Sequence, residues 1–128
     1  MISNETAARR SEALLRYSYG LVLILIGLDK VLGTDLIVEW IGYVGPLAQS
    51  VLPIDPATLV TVLGAAEIAV GLMFFTPLVK WAAYISIAVL AVIIVNLIDM
   101  ELYDIAARDF LIALGALALT FLADARRV

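Results

Sequence analysis

The chain has 128 residues, of which 64% are hydrophobic and 16% charged. A soluble domain carries about 45–50% apolar and about 25% charged residues, so this is the composition of an integral membrane protein, and the length is that of a single membrane domain. There is no cysteine and no histidine, which excludes disulfides and thiol chemistry and removes the commonest zinc ligand and general base, and the formal charge of −4 argues against nucleic acid as a partner.

Residues 1–11 are polar and carry Arg9 and Arg10. The apolar run behind them, about residues 14–32, continues for a full span without a small-residue cleavage site, so it reads as a retained first helix and not as a removed signal peptide. Gly20 and Gly27 lie seven positions apart and share a helical face, with Lys30 near it. Asp29 points roughly the other way. Snorkelling at the membrane boundary accounts for Asp29 and Lys30 as well as a ligand role does.

Residues 33–53 are too polar and too broken to span. They hold Asp35, Glu39, Trp40, Gly42, Tyr43, Gly45 and Pro46. Thr34 or Asp35 is placed to cap a short helix with Leu36, Ile37, Trp40 and Ile41 on one face. The segment is expected to be an interfacial or re-entrant lid on one side of the membrane.

The second span covers about residues 57–75, with Asp55 as N-cap and Pro56 at the first helical position. Glu67 sits in its middle. An Asp at a helix centre costs about 2.5–3.5 kcal/mol on insertion scales, and a Glu should cost a similar amount, so such a residue is usually paired, protonated or functional. Gly64, Glu67 and Gly71 fall on one face, and glycines let a neighbouring helix approach closely. Glu67 is therefore expected to point into the bundle, either as a hydrogen-bonded structural group, as a ligand or proton site, or at a subunit contact. The spacing of Gly64 and Gly71 repeats that of Gly20 and Gly27, and these four glycines are the candidate helix-packing positions.

Thr76 and Pro77 break the chain before the third span, about residues 78–98. Asn96 lies about one turn inside its outer end, where it can glue helices together or contact a ligand. A polar link leads to the fourth span, about residues 105–123. Asp104 and Arg108 are spaced to pair, and Asp109, Ala113, Ala116 and Thr120 form a small, slightly polar stripe expected to face inward.

Four spans make an all-α transmembrane four-helix bundle with both termini on one side. Arg9, Arg10, Arg16, Lys80, Arg126 and Arg127 share that side, which is six of the eight basic residues. By the positive-inside rule both termini are cytoplasmic in a multi-pass cell-membrane protein. Lys30, Asn96, Arg108 and Asp109 then lie in the outer third, with Glu67 some ~15 Å in at ~1.5 Å per residue. The inner half is almost purely aliphatic. These five polar residues are read as lining one outward-facing pocket beneath the lid, with Glu67 at its floor.

At these positions the chain resembles the DoxX-like family of small four-helix membrane proteins. The likeness covers roughly residues 16–123. It rests on Gly27-Leu28-Asp29-Lys30 ending the first span, Gly64 and Glu67 with Gly71 in the second, Asn96-Leu97 ending the third, and Tyr103 to Asp109 opening the fourth. The resemblance implies a four-helix bundle with no metal of its own and no covalently bound cofactor. Some relatives are similar to a membrane subunit of thiosulfate:quinone oxidoreductase, and others are associated with redox or detoxification partners.

Three functions follow as expectations. One is a membrane subunit or anchor of a redox-linked complex, not catalytic on its own, with a quinone or lipid in the pocket. Its partners would be the lipid bilayer and another protein or a second copy of the chain. Another is a scaffold or assembly factor whose polar residues only hold the bundle together. The third is a small-solute or proton pathway through Glu67, disfavoured because the inner half offers no polar steps. The charge asymmetry makes a direct prediction. Single cysteines introduced as Ser3→Cys and Glu101→Cys are expected to label from opposite faces of intact cells, and labelling of both from outside would reject the assigned topology.

Overall fold

The first helix, α1 (Asn4–Leu32), begins well ahead of the expected start at residue 14 in the computed structural model, which describes residues 2–125. The reason is local. Ser3 is its N-cap and accepts a hydrogen bond from the Thr6 amide at 3.1 Å, and Glu5 pairs with Arg9 at 2.9 Å one turn apart. At ~1.5 Å per residue, 29 residues reach about 43 Å, beyond the ~30 Å hydrocarbon core. The polar first turns are therefore helical but outside the bilayer. Gly33, at φ 65, ends the helix in the left-handed conformation that glycine adopts without cost.

The expected lid helix over Leu36, Ile37, Trp40 and Ile41 does not form. Asp35 takes a positive φ of 49, and the amides of Leu36 and Ile37 are drawn to the carboxylate of Asp29 instead of opening a helix. The lid consists of a single 3-10 turn, Trp40–Tyr43, followed by a short helix, α2 (Pro46–Val51). The chain continues as α3 (Pro56–Met73), α4 (Val79–Asp99) and α5 (Tyr103–Ala125). Asp55 caps α3 through the Thr58 amide at 3.3 Å, with Pro56 at the first position.

Four of these helices, α1, α3, α4 and α5, are long and apolar enough to cross a membrane. They form an up-and-down bundle. Helices α1 and α3 pack most extensively on each other, as do α4 and α5, and lighter α1–α5 and α3–α4 contacts close the ring. The start of α1 and the end of α5 lie at one end of the bundle and the lid at the other.

The α1–α3 seam is made by glycine. A β-carbon on Gly27 would sit 2.6 Å from the Gly64 carbonyl oxygen, and one on Gly71 would sit 2.9 Å from the Gly20 carbonyl oxygen. Because the helices are antiparallel, the pairs meet crosswise, Gly27 with Gly64 and Gly20 with Gly71. In lipid, where tails are as apolar as leucine, this close backbone approach is what drives association. The main apolar core lies in the half near the termini, where Phe74, Val79, Ala82, Ala83, Leu119 and Ala123 are buried together.

That half is less purely aliphatic than its sequence suggests. Arg16 donates to the carbonyls of Phe74 at 2.5 Å and Thr76 at 2.9 Å, satisfying the exposed end of α3, and it lies 3.7 Å from the buried Glu12. The Tyr19 hydroxyl crosses to the Ile112 carbonyl in α5, and Lys80 pairs with Asp124 at 2.7 Å. Buried Ser86 and Thr120 return their hydroxyls to their own helices, at Ala82 and Leu117. Arg126 and Arg127, assigned above to the same side, lie outside the described residues.

Gly27→Val is expected to lower the unfolding temperature in detergent sharply. The added atoms would press on the Gly64 backbone, which cannot swing aside, and overpacking of this kind costs typically about 1–3 kcal/mol. Gly42→Ala, where nothing lies within 4 Å of the new β-carbon, is the control and is expected to change little.

Candidate functional site

The only buried ion pair between two of the crossing helices, among the described residues, joins Lys30 of α1 to Glu67 of α3. The ammonium donates to Glu67 Oε1 at 2.7 Å, and the two side chains are 7% and 8% exposed. The glycine seam creates this contact. Lys30 Cβ would lie 2.7 Å from a β-carbon on Gly64, so the small residue beside Glu67 lets the lysine stem lie flat on α3. Two lone buried charges would each be costly in hydrocarbon, and pairing offsets most of that cost. The other oxygen, Glu67 Oε2, is buried and has no hydrogen-bond partner.

The lid closes over this pair. The Lys30 ammonium lies 4.4 Å from the centre of the Trp40 ring, within cation–π range. Trp40 is held there by its indole N–H, which donates to Asp29 at 2.7 Å. Asp29 also accepts from the Thr34 hydroxyl at 2.5 Å, the Leu36 amide at 2.8 Å and the Ile37 amide at 3.1 Å. Asp29 is therefore buried and fully engaged, and the snorkelling reading of it fails. It fastens the first half of the lid to α1.

The second half is fastened to α4. Asn96 accepts from the Gly45 amide at 2.9 Å and donates to the Tyr43 carbonyl at 2.7 Å. Asp99 accepts from the Leu47 amide at 3.0 Å, at the start of α2. Asn96 is thus turned toward lid backbone and away from Lys30 and Glu67.

Arg108 and Asp109 lie at the opening of α5. The expected Asp104–Arg108 pair is absent, and Arg108 instead approaches its neighbour Asp109 at 3.7 Å. Arg108 is 67% exposed while Asp109 is 14% exposed. Asp109 is the more buried of the two. The structure therefore joins Lys30 to Glu67 across two helices, leaves Arg108 at the surface beside Asp109, and gives Asn96 to the lid.

Fastening the lid is a role that the sequence does not assign to Asp29, Trp40 or Asp99. A signal for two of them exists. Asp29 lies in the last turn of α1 and Asp99 closes α4, and a carboxylate there opposes the helix dipole unless donors from elsewhere meet it. No comparable signal marks Trp40, since an aromatic belt residue looks the same in sequence. No group of three or more potential metal-ligating side chains occurs among the described residues.

The DoxX family model matches residues 12–99, more than half of the chain, and the chain belongs to that family of small membrane proteins. The matched region holds Asp29, Lys30, Glu67, Asn96 and Asp99 and stops before α5. No characterised protein and no solved structure matches the chain.

The buried pair predicts a sign pattern in stability. Glu67→Ala strands the Lys30 ammonium and is expected to cost about 3–5 kcal/mol, whereas replacing both partners, Lys30→Met with Glu67→Leu, is expected to stay near wild type. Detergent unfolding curves check this. A double variant as unstable as the single one would reject the pair as a self-contained unit.

Proposed function

We propose that this membrane protein is an accessory subunit that anchors a redox-linked complex and offers, at its lid end, a polar contact for the head of a quinone or lipid. Glu67 Oε2 is the observation that carries the reading. A buried acceptor left without a donor costs about 1–3 kcal/mol, so a hydroxyl or water brought to this atom relieves a cost that the other buried side-chain polar atoms among the described residues do not carry. Beside it, the Lys30 ammonium has three N–H donors, and Glu67 accepts one of them. A carbonyl oxygen arriving under Trp40 would find a donor, and a hydroxyl would find an acceptor.

The chain has neither histidine nor cysteine, so the reading assigns electron carriers to the partner and only docking to this subunit. The lid is assigned to the outer face because Arg9, Arg10, Arg16 and Lys80 gather at the opposite end. A scaffold role is the second reading. It is favoured by Asp29, Asn96 and Asp99, whose side chains are spent on lid backbone and hold the fold without any ligand.

Extraction in mild detergent followed by mass spectrometry of bound proteins and small molecules separates the two. The anchor reading expects a redox protein or a quinone to co-purify. It also expects Glu67→Gln, which keeps size and hydrogen bonding but removes the carboxylate, to deplete the bound molecule while the bundle stays folded. If Glu67→Gln leaves partners, ligand content and cellular phenotype unchanged, the anchor-with-pocket reading fails and the scaffold stands.

A further inference from the structure

On the outer surface of α1, two depressions adjoin at Leu32. The first is an apolar groove of about 370 Å³ between α1 and the start of the lid, walled by Leu25, Leu28, Leu32, Leu36 and Ile37. The second is a cleft of about 190 Å³ between the end of α1, the lid and α3, where Asp35 and Thr61 bring polar groups. Leu25, Leu28 and Leu32 are 51%, 40% and 68% exposed on a helix that crosses the membrane. The groove is thus continuous with the bilayer-facing surface, and hydrocarbon is its natural filling.

Its upper end settles how far a chain can run. There the groove meets Asp29 and Thr34, which are hydrogen-bonded to each other and to the lid. An apolar chain gains nothing by passing them. Across Leu32, which walls both depressions, the cleft is the adjoining recess for a head attached to that chain. The volumes agree with this division. Sites for whole small ligands run about 300–1,000 Å³; the groove falls at the low end of that range and the cleft falls below it, room for a headgroup alone.

The charge of the cleft selects the head. Asp35, a wall residue, is exposed, and it is the one carboxylate in the wall of the cleft. Lys30 also lines the cleft, but its charge is balanced by the carboxylate of Glu67 at 2.7 Å, so the buried pair adds no net charge. Arg108 belongs to α5 and sits against Asp109. Pockets that hold anionic lipid heads are basic, and this one has the opposite balance.

We propose that the lid end of α1 holds one phospholipid with an ammonium headgroup, its chain in the Leu25–Leu28–Leu32 groove and its ammonium beside Asp35. The inference goes beyond the contact proposed at Glu67: the two places share Lys30 alone, neither Glu67 nor Asn96 lines the groove or the cleft, and it stands if no quinone or redox partner is found.

Native mass spectrometry of the detergent-purified full chain tests it, with phosphatidylethanolamine, phosphatidylcholine and phosphatidylglycerol supplied in equal amounts. One ethanolamine or choline lipid is expected to stay bound at collision energies that strip the glycerol lipid. Asp35→Asn is expected to reduce that preference severalfold, and Leu28→Trp, which fills the groove from an exposed position, to remove the retained lipid. Leu25→Trp serves as the second filling variant should Leu28→Trp misfold. Equal or stronger retention of phosphatidylglycerol by the wild type would overturn the proposal, as would full lipid retention in a folded groove-filling variant.

Discussion

A bilayer gives a polar group nothing to bond with, and the lid half of this bundle is organised around that constraint. Glu67 lies in the middle of a helix with no other charge, and its position is tolerable because Lys30 reaches it from α1. That reach depends in turn on backbones close enough for glycine alone to fit between them, at Gly27–Gly64 and Gly20–Gly71. Widening the seam would lengthen the ion pair, and lengthening the ion pair would leave two charges in hydrocarbon. The electrostatics here depend on the packing, since the pair can form only across a seam this close.

The lid follows the same logic at the boundary. A loop at the edge of the hydrocarbon has backbone groups that need partners. Helix ends supply them. Asp29 meets two amides and an indole N–H from the first half, and Asn96 and Asp99 meet two amides and a carbonyl from the second. The acidic residues that close α1 and α4 would be poor choices for isolated helices, given the dipole. They suit these helices because the lid brings donors to them. At the opposite end Arg16 does the complementary work, covering the carbonyls left open where α3 stops.

The four crossing helices and the inward aim of Glu67 were legible because hydropathy and glycine spacing are local signals. The helical start of α1 was not, since hydropathy registers the membrane-crossing part of a helix and ignores a capped polar extension such as Ser3 to Arg9. The lid was misread for a different reason. Leu36, Ile37, Trp40 and Ile41 have helical spacing, but two of their amides bond to a carboxylate seven and eight positions earlier. Periodicity cannot register that competition. Asn96 and Arg108 show the same limit. Their depth was readable, yet whether they turn to Lys30, to the lid or to the surface depends on contacts between segments distant in sequence.

The two fastenings of the lid also carry an order in time. Asp29 and Trp40 are 11 positions apart, so the first half can close as soon as it leaves the ribosome beside α1. Gly45 must wait for Asn96, 51 positions later, and Leu47 for Asp99, 52 positions later. By then α3 has been made and the Lys30–Glu67 pair can already exist. The completed lid is therefore a record of assembly: it can be shut at both edges only in a chain that has threaded α3 and α4 through the bilayer in the right sense. Until α4 is made, the amides of Gly45 and Leu47 lack the acceptors that they meet in the finished chain.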